Sequence, residues 1–156
     1  MADQTVFYKR STFVTHLPKE ALFSPSHYWL LPEADGVWRV GFTKFATRML
    51  GDLVDHQFEK QAGDPVASGD IVGSVEGFKA ISDLYSPITG FFQSGNPGLQ
   101  KDPEIISSDP YGEGWLFRAA GTPDPRCGDV ESYRRLLDAT IDRMLEKEGY
   151  SDGAQE

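Results

Sequence analysis

The sequence predicts a mostly β protein, a sandwich or barrel with short helices and one C-terminal amphipathic helix. Short runs rich in Val, Ile, Tyr and Phe recur along the chain, separated by Gly and Pro turns. That rhythm is typical of all-β architectures. Only the tail, Asp129–Glu148, holds apolar residues at sustained three-to-four spacing.

Val6–His16 has β character and leads into a Pro-broken stretch, Leu17–Ser26. Tyr28–Leu31 and Val37–Phe42 read as a hairpin closed by Pro32-Glu33-Ala34-Asp35-Gly36. Thr43 is a good N-cap for a short helix, Lys44–Leu50, which Gly51 ends. Phe45 and Met49 lie four apart on it and share a face. Leu53–Phe58 should be a strand, and Gly63–Gly69 a turn-rich loop. Ile88–Ser94 is another strand, Pro103–Ser107 a short helix or loop, and Gly114–Ala119 a final strand. In the tail, Val130, Tyr133, Leu137, Ile141 and Met144 form the apolar stripe, Asp129 is the N-cap and Gly149 a stop. This helix either packs on the sheet as core or binds a partner. Ser151–Glu156 should be disordered.

Ile71–Tyr85 (IVGSVEGFKAISDLY) is the most informative segment. It reads as a tight hairpin with Phe78 and Lys79 as the central turn residues. Glu76 then faces Ile81, Val75 faces Ser82 and Ser74 faces Asp83, because a two-residue turn fixes register. Lys79 is held at a defined point and pushed outward. Such an amine suits covalent attachment of a prosthetic arm.

At 156 residues the chain is one domain by length and long enough to bury a core. Its net charge of −9 argues against a nucleic-acid partner. The acidic balance either steers the protein towards basic partners or aids solubility. No apolar run spans a bilayer, and the N-terminus lacks a secretory or transit signature, so a cytoplasmic location is expected. The single cysteine, Cys127, sits in a Pro/Gly linker and reads as incidental. The scattered histidines His16, His27 and His56 support neither a metal site nor a triad. Without a phosphate loop either, the residues point to a carrier with no catalytic group of its own.

Four strings, in order, carry a resemblance: Gly41–Ala46 (G-x-T-x-x-A), Leu50–Asp52 (L-G-D), Glu76–Ala80 (E-G-F-K-A) and Asp109–Trp115 (D-P-Y-G-E-G-W). E-G-F-K-A resembles the E-S-V-K-A string of lipoyl carriers, and D-P-Y-G-E-G-W resembles a signature of the glycine cleavage H-protein family. The resemblance runs from about Ser26 to Arg118. It implies a lipoyl-domain-like barrel-sandwich hybrid, with an N-terminal extension over 1–25, the lipoyl domain over 26–120 and the C-terminal helix over 129–148. Such domains have an internal pseudo-symmetry, here Asp64–Glu76 against Ala80–Gln93, with two sheets that swap strands. It also implies lipoic acid on Lys79, whose acylation would take the net charge from −9 to −10. Glu76, Gly77, Phe78, Ala80 and Asp83 would form the recognition set read by a lipoate ligase or lipoyl transferase. A dihydrolipoyl dehydrogenase would reoxidise the arm.

The departures from the family bear on the cargo. In glycine-cleaving members the loaded arm enters a cleft on the carrier, where the glutamate of an H-E-W tripeptide meets an ammonium. This chain has His27-Tyr28-Trp29. Met49 stands where a histidine is common, while the family aspartate is kept as Asp83. Gly77 and Phe78 replace the preferred Ser and Val or Thr, and Phe78 either folds back on the sheet or is read by a partner. An arm cleft of Tyr28, Met49 and Asp83 would suit a neutral or sulfur-rich adduct better than an amine. These features favour the H-like lipoate-binding proteins of bacterial sulfur oxidation, which serve a heterodisulfide-reductase-like complex. The alternative is the H protein of glycine cleavage, carrying an aminomethyl group between the glycine cleavage enzymes. A third reading is an unlipoylated interaction module.

Overall fold

The computed structural model describes residues 4–155, with side chains through residue 148. An N-terminal hairpin pairs β1 (Thr5–Arg10) with β2 (Phe13–Pro18). The sequence suggested one β segment here. The connecting residues carry no Gly or Asn, yet Ser11 adopts a left-handed φ of 55°.

A six-stranded sheet follows the order β3 (Leu22–Phe23), β4 (Tyr28–Pro32), β5 (Val37–Phe42), β11 (Phe117–Pro123), β10 (Ile88–Gly95), β7 (Pro65–Val66). A three-stranded sheet orders β6 (Leu53–Phe58), β8 (Ile71–Gly77) and β9 (Ile81–Tyr85). β7 and β10 pair in the large sheet while β8 and β9 pair in the small one. The chain therefore crosses between sheets after β7 and returns after β9, which is the strand exchange expected about the lysine turn.

Buried residues from both sheets meet in one core, among them Leu30, Val40, Leu53, Val72, Leu84, Ile88 and Phe117. A second cluster covers the other face of the large sheet. There Trp29 and Trp115 pack with Tyr8, Phe13 and Leu17 of the N-terminal hairpin. Val130, Tyr133, Leu137 and Ile141 of α3 (Val130–Gln155) complete it. The apolar stripe of α3 is thus core, and the Asp129 carboxylate caps it by accepting from the Ser132 N–H at 2.9 Å. The helix passes the stop read at Gly149, because glycine inside a helix costs only about 1 kcal/mol and need not end it. The expectation for 151–156 lies outside the fully described residues. No helix of the described residues is long and apolar enough to cross a membrane.

The final strand starts three residues later than expected and runs on into the segment read as linker, ending at Pro123. Ile88 pairs with Pro123 and Thr89 with Thr122, so the length of β10 imposes extension on Gly121–Pro123. The residues just before β11 are pinned instead by Asn96, whose Nδ2 donates to the Glu113 and Trp115 carbonyls at 2.8 Å.

Candidate functional site

The lysine turn has the register read from the sequence: Glu76 opposite Ile81, Val75 opposite Ser82 and Ser74 opposite Asp83. Three successive N–H groups lock it. Gly77 donates to Ala80 O at 2.9 Å and closes the turn. Phe78 donates to Asp52 O at 3.1 Å, and Lys79 donates to Leu50 O at 2.9 Å. The turn is therefore tied to the end of α1 (Lys44–Leu50) and the L-G-D string that follows it.

Glycine is required on both sides of this joint. A Cβ on Gly77 would lie 2.3 Å from Leu50 O, so the turn as docked here has no room for a side chain at this position. Gly51 has a φ of 79°, and a Cβ there would sit 3.0 Å from both the Lys79 backbone N and Cγ.

α1 is itself held at its start. The Thr43 Oγ1 accepts from Ala46 N–H at 3.4 Å, and the Tyr111 hydroxyl accepts from Lys44 N–H at 2.9 Å. These bonds satisfy N–H groups that a helix start leaves free. The tyrosine of D-P-Y-G-E-G-W thus positions the helix on which the lysine turn rests. The buried Tyr133 hydroxyl lies 2.7 Å from Thr43 Oγ1 and 2.8 Å from His27 Nδ1. Burial lowers the His27 pKa to about 4 and raises those of Tyr111 and Tyr133. Thr43 and Tyr111 stand in two of the quoted strings, but their meeting with His27 and Tyr133 was not read from the sequence, since the four lie far apart along the chain.

The Lys79 side chain is exposed, and its Nζ donates to Arg48 O at 3.2 Å in the last turn of α1. Cations are favoured beside such carbonyls. Among the described residues no carboxylate pairs with it. Phe78 is 78% exposed and Ile81 74%, so Phe78 does not fold back on the sheet. Glu76, Ala80 and Asp83 are also exposed around the turn. An accessible primary amine on a rigid turn fits an acyl prosthetic group.

The expected arm cleft is not assembled. Tyr28 is only 2% exposed; its ring stacks on Phe42, and its hydroxyl accepts from Tyr85 N–H at 2.9 Å. The cause is the double burial of β4. Tyr28 and Leu30 face the intersheet core while Trp29 faces the α3 cluster. The unbroken apolar run Tyr28–Leu31 was the available signal. Met49 lines a different space, a groove with the N-terminal hairpin and α3. Asp83 stays exposed on β9. Cys127 is half-buried, and burial pushes its thiol up to about 11, leaving it a poor nucleophile.

The family model of the glycine cleavage H-protein matches residues 21–140. The chain belongs to the glycine cleavage H-protein family. It is 41% identical over 130 residues to the glycine cleavage system H protein of Mycolicibacterium smegmatis, covering 80% of this chain and 98% of that protein. The corresponding protein of Alteromonas mediterranea is 36% identical over 143 residues, 92% of this chain and 99% of its own length. The crystal structure of the Mycobacterium marinum H protein matches with a TM-score of 0.67 at 34% identity, over 75% of this chain and 95% of that one. H proteins are non-catalytic carriers with lipoate bound covalently to a lysine. The mostly β fold with its C-terminal helix is the H-protein fold. These relatives favour glycine cleavage over sulfur oxidation.

Proposed function

We propose that Lys79 is the lipoylated lysine of this H protein, and that its arm serves the glycine cleavage enzymes in the cytoplasm. The carrying observation is the turn itself: an exposed amine whose backbone is fixed by three consecutive hydrogen bonds. A lipoyl group supplies a dithiolane that opens and closes by thiol–disulfide exchange. The protein's own part is to hold the attachment point still, unpaired with any carboxylate among the described residues and open to a ligase. Glu76, Phe78, Ala80 and Asp83 form the surface that a lipoate ligase or lipoyl transferase reads, while Gly77, expected in that set, is buried against Leu50 and acts by shaping the turn. A dihydrolipoyl dehydrogenase restores the oxidised arm.

The test is reconstitution with glycine decarboxylase and labelled glycine. Lipoylated wild type supports release of labelled carbon dioxide, whereas Lys79→Arg taken through the same ligase reaction does not. Absence of release with fully lipoylated wild type would overturn the glycine cleavage assignment. One feature favours a different cargo, namely Tyr28 in place of the glutamate of the family's H-E-W tripeptide. A heterodisulfide-reductase-like complex that reduces or loads the same arm, with glycine inactive, would be the outcome that favours it.

A further inference from the structure

The charges beside the lysine turn are sorted by sign. On α1, Lys44 and Arg48 stand four residues apart and share a face. Lys79 brings a third cation to the end of the same helix, its Nζ donating to the Arg48 carbonyl at 3.2 Å. On the small sheet, Asp55 of β6 lies directly opposite Glu76 of β8, and Asp83 is exposed on β9. Lys79 marks the border between a basic flank and an acidic one.

Neither flank is neutralised. Among the described residues Lys44 and Arg48 pair with no carboxylate. Asp52, exposed just past the helix, makes no ion pair with either, and nor does Glu148, which lines a groove with Arg48. The Arg10 guanidinium on that groove is different, since Asp142 holds it at 2.6 Å. Like charges four apart on a helix, or directly opposite on paired strands, work against the fold. A surface shaped for solubility alone interleaves the two signs. Here two self-repelling pairs of opposite sign are kept apart on either side of the functional amine. Their complement must come from another molecule.

We infer that the Lys44–Arg48 flank is the contact for an acidic patch on the enzyme that acylates Lys79. This rests on Lys79 being the attachment point. The net charge of −9 repels an acidic patch from most approaches, and the basic flank gives it a landing point beside the amine. The reaction then weakens the contact that began it. The Lys79 ammonium gives up one proton. Its nitrogen bonds to the acyl carbon of the activated lipoyl donor, loses a second proton and expels the donor's leaving group. The amide is neutral, so three cations become two and the net charge moves from −9 to −10. The enzyme therefore holds the unmodified chain more tightly than the lipoylated one.

The test is the steady-state kinetics of lipoylation by the cognate ligase, with lipoate and ATP, over a series of salt concentrations. The KM for wild type should rise steeply with salt, because exposed charges are screened. Arg48→Glu should raise KM at low salt by about tenfold with kcat little changed, and its salt dependence should be much shallower. Lys44→Gln should move KM in the same direction by a smaller factor. Asp55→Asn, on the acidic flank, should leave KM unchanged or lower it. Lys79→Arg, which keeps the charge but takes no acyl group, should inhibit the reaction more tightly than Lys79→Gln. The salt series on wild type needs no substitution, so a poorly folded variant does not decide the matter. A mass spectrum of each product separates the two ways to fail. Lipoylation of Lys79 with a KM indifferent to salt and to Arg48→Glu overturns the basic contact alone, and no lipoyl group on Lys79 overturns both assignments.

Discussion

The Lys79 backbone N–H donates to the Leu50 carbonyl at 2.9 Å, joining the lysine turn to the C-terminal end of α1. The position of the amine is therefore a property of the helix as much as of the hairpin. The helix start depends in turn on Thr43, Tyr111 and Tyr133.

Gly77→Ala should break this joint, because the new methyl meets backbone oxygen rather than a movable side chain. Overpacking of this kind costs about 1–3 kcal/mol. Thermal unfolding should show that loss, and lipoylation kinetics should show a fall in kcat/KM of about tenfold or more. Unchanged lipoylation would mean that the ligase does not depend on the docked turn.

Phe78→Ser should leave stability within about 0.5 kcal/mol of wild type, since the ring is exposed. Its effect should appear instead as a raised KM for the ligase or for a partner enzyme. An unaltered KM with every partner would show that the ring is not a recognition element.

Tyr28→Phe should cost about 1–3 kcal/mol, because the Tyr85 N–H loses its acceptor inside the protein. Tyr28→Glu should be worse, since it buries a carboxylate in the intersheet core. Chemical denaturation of both variants checks this order. A stable, well-packed Tyr28→Glu protein would mean that the position opens to solvent after all.

His27 gives the protein a pH signature. Burial depresses its pKa from 6.5 to about 4. Above pH 6.5 the ring is neutral in both states and exerts no penalty. As pH falls towards 4, the unfolded chain binds a proton that the folded chain refuses, so stability declines. The full loss is about 3 kcal/mol at 1.36 kcal/mol per unit. Denaturation across this window should show a steeper decline in wild type than in His27→Gln, because His56 and the paired carboxylates titrate in both. Parallel slopes would contradict the burial argument.

Where local rules act alone, the sequence was legible. The register about Lys79 follows from a two-residue turn between β-rich runs. The α1 boundaries follow from Thr43 and Gly51. The β1–β2 hairpin was hidden because Ser11 takes a positive φ without a turn residue's usual identity. Tyr28 was misplaced because family resemblance aligned it with a cleft glutamate, whereas its ring is enclosed by Phe42 and the core between the sheets. The groove by Met49 needs three segments distant in sequence, so no local pattern announces it.

The most direct measurement is the intact and peptide mass of the protein co-produced with a lipoate ligase that accepts H proteins. A single lipoyl-sized increase confined to the peptide bearing Lys79, and absent from Lys79→Arg, is the predicted result. An unmodified Lys79 under those conditions, or the same increase in Lys79→Arg, would contradict it.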